Sequence, residues 1–415
     1  MLSVPQVRLP KLRALDIRPY RHQGQPHILL RDPAQISDQT LLVPQPLAAV
    51  LNFCDGKHDA RAMRLAFERQ YGMVLTASSV EQLLTALDEA LMLDNKQFAL
   101  AQTRALERYR QAAFRSPALV GASYPAEAGK LRQLLNNYLD AVDDDEPLLA
   151  GSAHAWPGAS GLLSPHIDYM RGGNVYAQVW KRAAAAVQAA DLVVMIGTDH
   201  YGSDPFTLTR QHYATPYGCL PTAQPVVDAL AEAIGEEAAF AGELRHRGEH
   251  SLELVAVWLH HMRNGQPCEF VPILSGGFHR FIQNGAAPAE DPLLNRVLDA
   301  LRTTTSNRRV VVIASGDLAH VGPAFSGRAL DATARNRLRA ADDDLIEQMC
   351  GGQTENFFTS IRRVRDQNNV CGVAPIYLTM RLLGATAGQC VGYATCPADD
   401  SDTSAVTVCG VLFGG

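Results

Sequence analysis

Several familiar features are missing from this chain, and each absence narrows what it can be. No stretch approaches the roughly 18 consecutive apolar residues that a membrane-spanning helix needs, so no membrane association is expected. The opening MLSVPQVRLPKLRALDIRPY has no continuous apolar run of the kind a secretory signal carries. There is no basic excess: 37 Lys and Arg stand against 43 Asp and Glu, for a net charge of −6. The short runs NRRVVV and IRRVRD read as strand-edge and helix-face charge, so no nucleic-acid footprint is expected. The eight cysteines are scattered and form no C-x-x-C pair. Most of them read as small buried hydrophobes in a reducing cytoplasm, which sets the expected location. A G-x-S-x-G elbow, a Walker A loop and a G-x-G-x-x-G fingerprint are also absent.

What is present suggests two domains in 415 residues, 47% of them hydrophobic and 19% charged. Residues 1–115 read as a small α+β unit. PHILLRDP and QTLLVPQPLAAVLNFCDG are short strands leading into a helix that stops near Asp55 and Gly56. DARAMRLAFERQYG and TASSVEQLLTALDEALML are amphipathic helices, the second opening on a capping-box spacing. The unit has a winged-helix flavour, and LAQTRALERYRQAAF is a connecting helix that places the boundary near Arg115. His58 reads as a loop residue.

From Ser116 onward, strands and helices alternate, as in an α/β domain with a mostly parallel sheet flanked by helices. The last two strands, GQCVGYATC and AVTVCGVLF, are consecutive and expected to be antiparallel. RGGN, Gly-rich and close to the start of a helix, reads as a tight strand-to-helix turn. His154 falls in an acidic, Gly/Pro-containing loop.

Three apolar strands end in histidine-bearing sequences: GLLSPHIDY in His166, VVMIGTDHYG in His200 and VVVIASGDLAH in Asp317 and His320. In open α/β sheets, ligands bind beyond the carboxyl ends of strands, and these side chains hang there. RGEHSLEL adds Glu249 and His250 at a helix start, with Glu253 one turn on. Imidazole and carboxylate are the usual ligands of iron, zinc and copper. Two histidines from separate strands plus a third donor would make a facial site with open positions. His260, His261 and His279 read as structural or exposed, and His22, His27, His212 and His246 carry no motif.

These segments resemble the Memo family, whose bacterial branch is called AmmeMemoRadiSam system protein B. The resemblance runs from about Ser116 to the C-terminus, through SPALVGASYPAEAGKLRQLL, SPHIDYMRGG, IGTDHYG, GEHSLEL, SGDLAHVG, VCGVAPI and DTSAVTVCGVLF. It implies a fold similar to the class III extradiol (LigB-like) dioxygenases, which bind non-haem Fe(II). It also implies His166 and His200 as metal ligands and His250 as acid/base. The animal branch carries a cysteine between the Asp and His of the fifth motif, where this chain has Ala319. A His/His/Cys set is therefore not expected, and Asp317 or His320 takes the third position. Asp168, where the family usually has Gly, adds a carboxylate nearby. The N-terminal part resembles the PqqD-like peptide-recognition domains.

Two functions fit. One is a mononuclear metal site, with Fe(II) expected and copper or zinc as alternatives, doing dioxygenase-like redox chemistry on a small molecule or peptide. The catalytic residues would then be His250, Asp317 and His320, with His166, His200 and Asp317 holding the metal. The other is a non-catalytic accessory protein that binds metal or peptide and works beside a radical-SAM partner.

Overall fold

The computed structural model describes residues 9–143, 159–384 and 386–414. His154 lies outside them. The chain divides into two compact units, Met1–Gln111 and Ala112–Gly415. No helix among the described residues is long and apolar enough to cross a membrane.

The first unit opens with β1 (Asp16–His22) and β2 (Gln25–Arg31), followed by β3 (Leu41–Pro44). All are antiparallel, in the order β1-β2-β3. The β1-β2 hairpin turns at Gln23 and Gly24, both with positive φ (49° and 77°), the geometry that a two-residue hairpin loop needs. The sequence reading passed over β1 because its residues are mostly exposed and polar. Four helices follow: α1 (Gln45–Ala48), α2 (Ala60–Tyr71), α3 (Ala77–Glu89) and α4 (Lys96–Gln111). Asp59 caps α2 and Thr76 caps α3, each accepting a backbone N–H, and Gly72 closes α2 at φ 67°. A small core of Val50, Met63, Phe67, Val80, Leu83 and Leu87 lies between the helices and the sheet.

The second unit begins with α5 (Ala128–Asp140), β4 (Gly161–Ser164), α6 (Tyr169–Ala189) and β5 (Leu192–Thr198). Three short strands follow, β6 (Thr207–Leu208), β7 (Tyr213–Thr215) and β8 (Gly218–Leu220), then α7 (Gln224–Ile234), α8 (Glu236–Phe240) and α9 (His250–Met262). Next come β9 (Glu269–Ser275), α10 (His279–Asn284), α11 (Pro292–Thr305), β10 (Val310–Ser315) and β11 (His320–Val321). The chain ends with α12 (Ala332–Cys350), α13 (Thr354–Arg363), α14 (Val373–Leu383), β12 (Gly388–Pro397) and β13 (Ala405–Phe413).

The sheet order is β11-β13-β4-β10-β5-β9-β6, with β12 on β13. β4, β10, β5 and β9 are mutually parallel. The last two strands are antiparallel to each other, and β13 is antiparallel to β4. β5 is buried along its whole length, because each face of the sheet carries its own apolar cluster. The fold is therefore α/β with a mixed, mostly parallel sheet, as expected from the alternating pattern.

The RGGN segment is not a turn. Gly172 and Gly173 lie in the first turns of α6. A Cβ on Gly172 would come within 2.3 Å of Ile167, and one on Gly173 within 2.4 Å of the Tyr138 ring. These glycines serve close helix packing.

Candidate metal centre

Topology explains why three strands deliver their functional groups to one place. β10 lies between β4 and β5 in the sheet. Adjacent strands are about 4.8 Å apart, so residues just past their carboxyl ends are brought within reach of one another. His166 follows β4, His200 follows β5 and Asp317 follows β10. The ring centroids of His166 and His200 are 5.1 Å apart. His250, at the first position of α9, stands 5.2 Å from His166 and 4.4 Å from His200.

Hydrogen bonds determine which nitrogen of each ring faces the centre. Ser315 Oγ donates to the Ser251 carbonyl, so it must accept from His166 Nδ1 at 3.3 Å. Glu249 Oε1 accepts from His200 Nδ1 at 2.9 Å and lies 3.1 Å from His250 Nδ1. His320 Nδ1 donates to the Leu318 carbonyl at 3.3 Å. Each of the four imidazoles thus turns Nδ1 to an oxygen and leaves Nε2 as the nitrogen available to the centre, the orientation in which such a histidine binds a metal once Nε2 is unprotonated.

The thiol of Cys371 meets these lone pairs. Its Sγ is 3.1 Å from His166 Nε2. His166, His200 and Cys371 each offer one donor atom, all within 4.8 Å of one another. The absence of a cysteine at position 319 therefore does not leave the site without a sulfur donor. Ala319 is buried, and the thiol comes from a different segment. Two glycines make that possible. A Cβ on Gly316 would come within 2.7 Å of the Gly372 Cα, and one on Gly372 within 2.7 Å of the Asp317 carbonyl. The Cys371-Gly372 backbone can consequently lie directly on the end of β10, tied there by Gly372 N–H to Asp317 O at 3.0 Å. The segment VCGVAPI carries this cysteine, but composition and spacing alone make it one more small hydrophobe.

Asp317 is buried beside this set. Its Oδ1 accepts from the backbone N–H of His166 at 2.8 Å, and its Oδ2 lies 3.8 Å from His166 Nε2. Asp317, His320 and Cys371 form a second group of close donor atoms, and His200, Glu249 and His250 a third. In the third group, Glu249 already receives the N–H of His200 and of Ser251 as well as the two rings. It acts as the carboxylate that orients the histidines. Asp168 belongs to none of these groups; it caps α6 and pairs with Arg171 at 2.6 Å.

The electrostatics follow from burial and from Glu249. Burial pushes the His166 pKa down to about 3, with His200 and His250 adding to the effect. Burial also opposes charge on His200, yet the Glu249 carboxylate and Cys371 outweigh it and raise the His200 pKa well above the usual value. Glu249 itself is held well below the carboxylate range, because the two histidines overcome its burial. Burial raises the Cys371 thiol. The side chains of His200 and His250 keep 25% and 34% exposure, against 1% for His166, so the centre opens to solvent on the His200/His250 side.

Glu253 faces elsewhere. Its carboxylate accepts from Ala118 N–H, Leu119 N–H and Tyr124 Oη, and pairs with the buried Arg115. Among the other histidines, His246, His260 and His261 are buried in hydrogen bonds to Tyr213, Thr215 and Tyr217.

This site can be set beside known proteins. A profile described as Memo-like protein matches residues 115–411. The chain belongs to the Memo family. A MEMO1 family protein of Methanosarcina barkeri is 26% identical over 297 residues, covering 70% of this chain and 96% of the relative. One from Archaeoglobus fulgidus is 27% identical over 304 residues, covering 72% and 99%. One from Nitrosopumilus maritimus is 23% identical over 311 residues, covering 72% and 98%. The Memo match lies within the second unit, where all of the histidine and thiol donors stand.

Proposed function

We propose that this Memo protein holds one divalent transition metal, iron(II) first, through His166, His200 and Cys371, and acts on a small molecule or peptide at its open side. The observation that carries this reading is the shared ring orientation: an oxygen holds Nδ1 of each ring, and Nε2 of His166 lies 3.1 Å from the Cys371 thiol. Imidazole and thiolate together suit iron, zinc and copper. A bound metal would supply Lewis acidity or one-electron redox chemistry of the dioxygenase type.

The protein's own groups have separate tasks. Glu249 fixes the ring orientation of His200 and His250. Asp317 balances the charge beside His166. His250, partly exposed and backed by the Glu249 carboxylate, moves a proton to or from substrate at Nε2. His320 stands as a further donor next to Cys371 and Asp317. Metal analysis of protein purified without oxygen tests the reading: one equivalent of iron, copper or zinc supports it and names the metal. Substoichiometric binding of all three overturns it.

The second reading is an accessory role beside a radical-SAM protein. It is supported by the separate first unit, which lies outside the Memo match and resembles PqqD-like domains. The outer strands β1 and β3 of its sheet could each take an added peptide strand. Co-purification with a radical-SAM partner, lost on removal of residues 1–111, favours it over the enzyme.

A further inference from the structure

A cavity of about 260 Å³ lies between α12, α13 and the 364–370 loop, whose last residue, Val370, precedes Cys371. Its apolar wall includes Leu345, Ile361 and Val370, and its polar wall includes Asp344, Ser360 and Asp366. Ser360 Oγ donates to Asp344 Oδ2 at 2.6 Å. Asp366 Oδ1 accepts from Val370 N–H at 2.9 Å, and its Oδ2 has no hydrogen-bond donor among the described residues. Arg363 also borders the cavity but is exposed, so solvent screens its charge.

The loop that forms one wall is also the strand of chain that leads to Cys371. Arg365, Asp366 and Asn369 have φ of 50°, 50° and 49°, the left-handed region that Asp and Asn tolerate but that costs Arg365. Such a backbone persists only where its surroundings hold it. On the side of the metal centre, Asn368 O accepts from His320 N–H at 2.8 Å and Asn369 Nδ2 donates to His320 O at 3.1 Å. Asp366, Gln367, Asn368 and Val370 face the cavity. A single short loop thus lines the cavity, holds His320 through Asn368 and Asn369, and runs from Val370 directly into Cys371.

We propose that this cavity binds a small organic cation, an ammonium group on an apolar stem, and that its occupancy is passed to Cys371 through the 364–370 loop. Two carboxylates above an apolar wall fit that chemistry: the charged head meets Asp344 and Asp366, and the stem lies along Leu345, Ile361 and Val370. A ligand drawing Asp366 toward it pulls on a loop already in an unfavourable backbone conformation. The consequence for the metal centre rests on the function proposed above, whereas binding in the cavity does not.

The test uses the full chain without metal, phenethylammonium chloride as the probe, and 2-phenylethanol as the same stem without charge. Calorimetric titration should show saturable binding of the ammonium and about 10-fold weaker binding of the alcohol, because only the former makes charge-assisted hydrogen bonds. Asp366→Asn and the cavity-filling Ala341→Phe should each weaken the ammonium about 10-fold. Saturating probe should change the rate at which iodoacetamide alkylates Cys371 about 5-fold, read by peptide mass spectrometry, a shift within ordinary coupling between sites. Equal binding of the alcohol, unchanged affinity in the folded variants, or an indifferent Cys371 would each overturn the proposal. Should Ala341→Phe lose its cooperative thermal transition, the near-isosteric Asp366→Asn carries the comparison. A protein that proves unable to bind metal would still answer both the titration and the alkylation.

Discussion

Glu249 grips His200 at two points: one carboxylate oxygen accepts the ring Nδ1–H at 2.9 Å and the other accepts the backbone N–H at 3.0 Å. The residue that caps α9 therefore decides both where the His200 ring sits and which nitrogen it presents. Glu249→Gln keeps the shape but can offer an amide N–H to Nδ1 and so reverse the tautomer. Metal affinity should fall about 10–100-fold, as for other outer-shell partners of metal-binding histidines. Competition against a chromophoric chelator measures it, and an unchanged constant would remove Glu249 from the site.

Cys371 and Asp317 are separable by spectroscopy. Cobalt(II) bound by a thiolate shows a sulfur-to-metal charge-transfer band. Cys371→Ser should abolish this band, while Asp317→Asn should keep it. Asp317→Asn still offers an oxygen to the His166 N–H, so a sharp loss of affinity there would make Asp317 a ligand in its own right. A loss of only about 10–100-fold would mean that it orients its neighbours. Retention of the band in Cys371→Ser would rule out the thiol. His166→Ala and His200→Ala should each abolish stoichiometric binding.

Arg115 and Glu253 form a buried ion pair, with side chains 0% and 2% exposed. Arg115 also donates to the carbonyls of His246 and Glu249, tying the start of the second unit to the residue that orients two histidines. Removing one partner leaves the other charged and unpaired. Arg115→Met should therefore cost about 3–5 kcal/mol in urea unfolding. It should also weaken metal binding through Glu249. A loss below about 1 kcal/mol, the range of exposed pairs, would mean that water replaces the guanidinium.

His246 gives a pH signature away from the metal donors. Burial pushes its pKa down to about 3 from 6.5. Between those values the unfolded chain binds the proton and the folded chain does not, so this contribution makes stability fall as pH drops from about 6.5 toward 3. His246→Gln should lower stability at neutral pH, since Tyr213 Oη and the Thr207 carbonyl lose their partners. Its decline on acidification should nevertheless be shallower by one proton. Asp342 and Asp366, each pushed up to about 6 by burial, oppose the trend equally in both proteins. The difference between their urea curves across the window isolates His246, and parallel curves would refute the assignment.

The sequence by itself determined the α/β architecture and singled out every histidine and carboxylate of the three donor groups, leaving only Cys371 unmarked. Strand interiors covered by helices must be apolar, so VVMIGT and VVVIAS stand out, and a histidine or aspartate just beyond such a run is conspicuous. Local chemistry marked the start of α3 only to within two residues: the Ser78/Glu81 spacing suggested a capping box, whereas the cap is Thr76, which accepts from Ser79 N–H. Only the tertiary structure brought Cys371 to His166 and His200. The Cys371 thiol is 54 residues from Asp317 in the chain, and what brings it in is the backbone contact between Gly316 and Gly372. That contact leaves no period, charge pattern or spacing in the sequence, because it depends on two distant residues that both lack a side chain. The tautomers were hidden for the same reason. Which nitrogen of His166 faces the thiol depends on Ser315 and on the Ser251 carbonyl, partners that meet only when β4, β10 and α9 have packed.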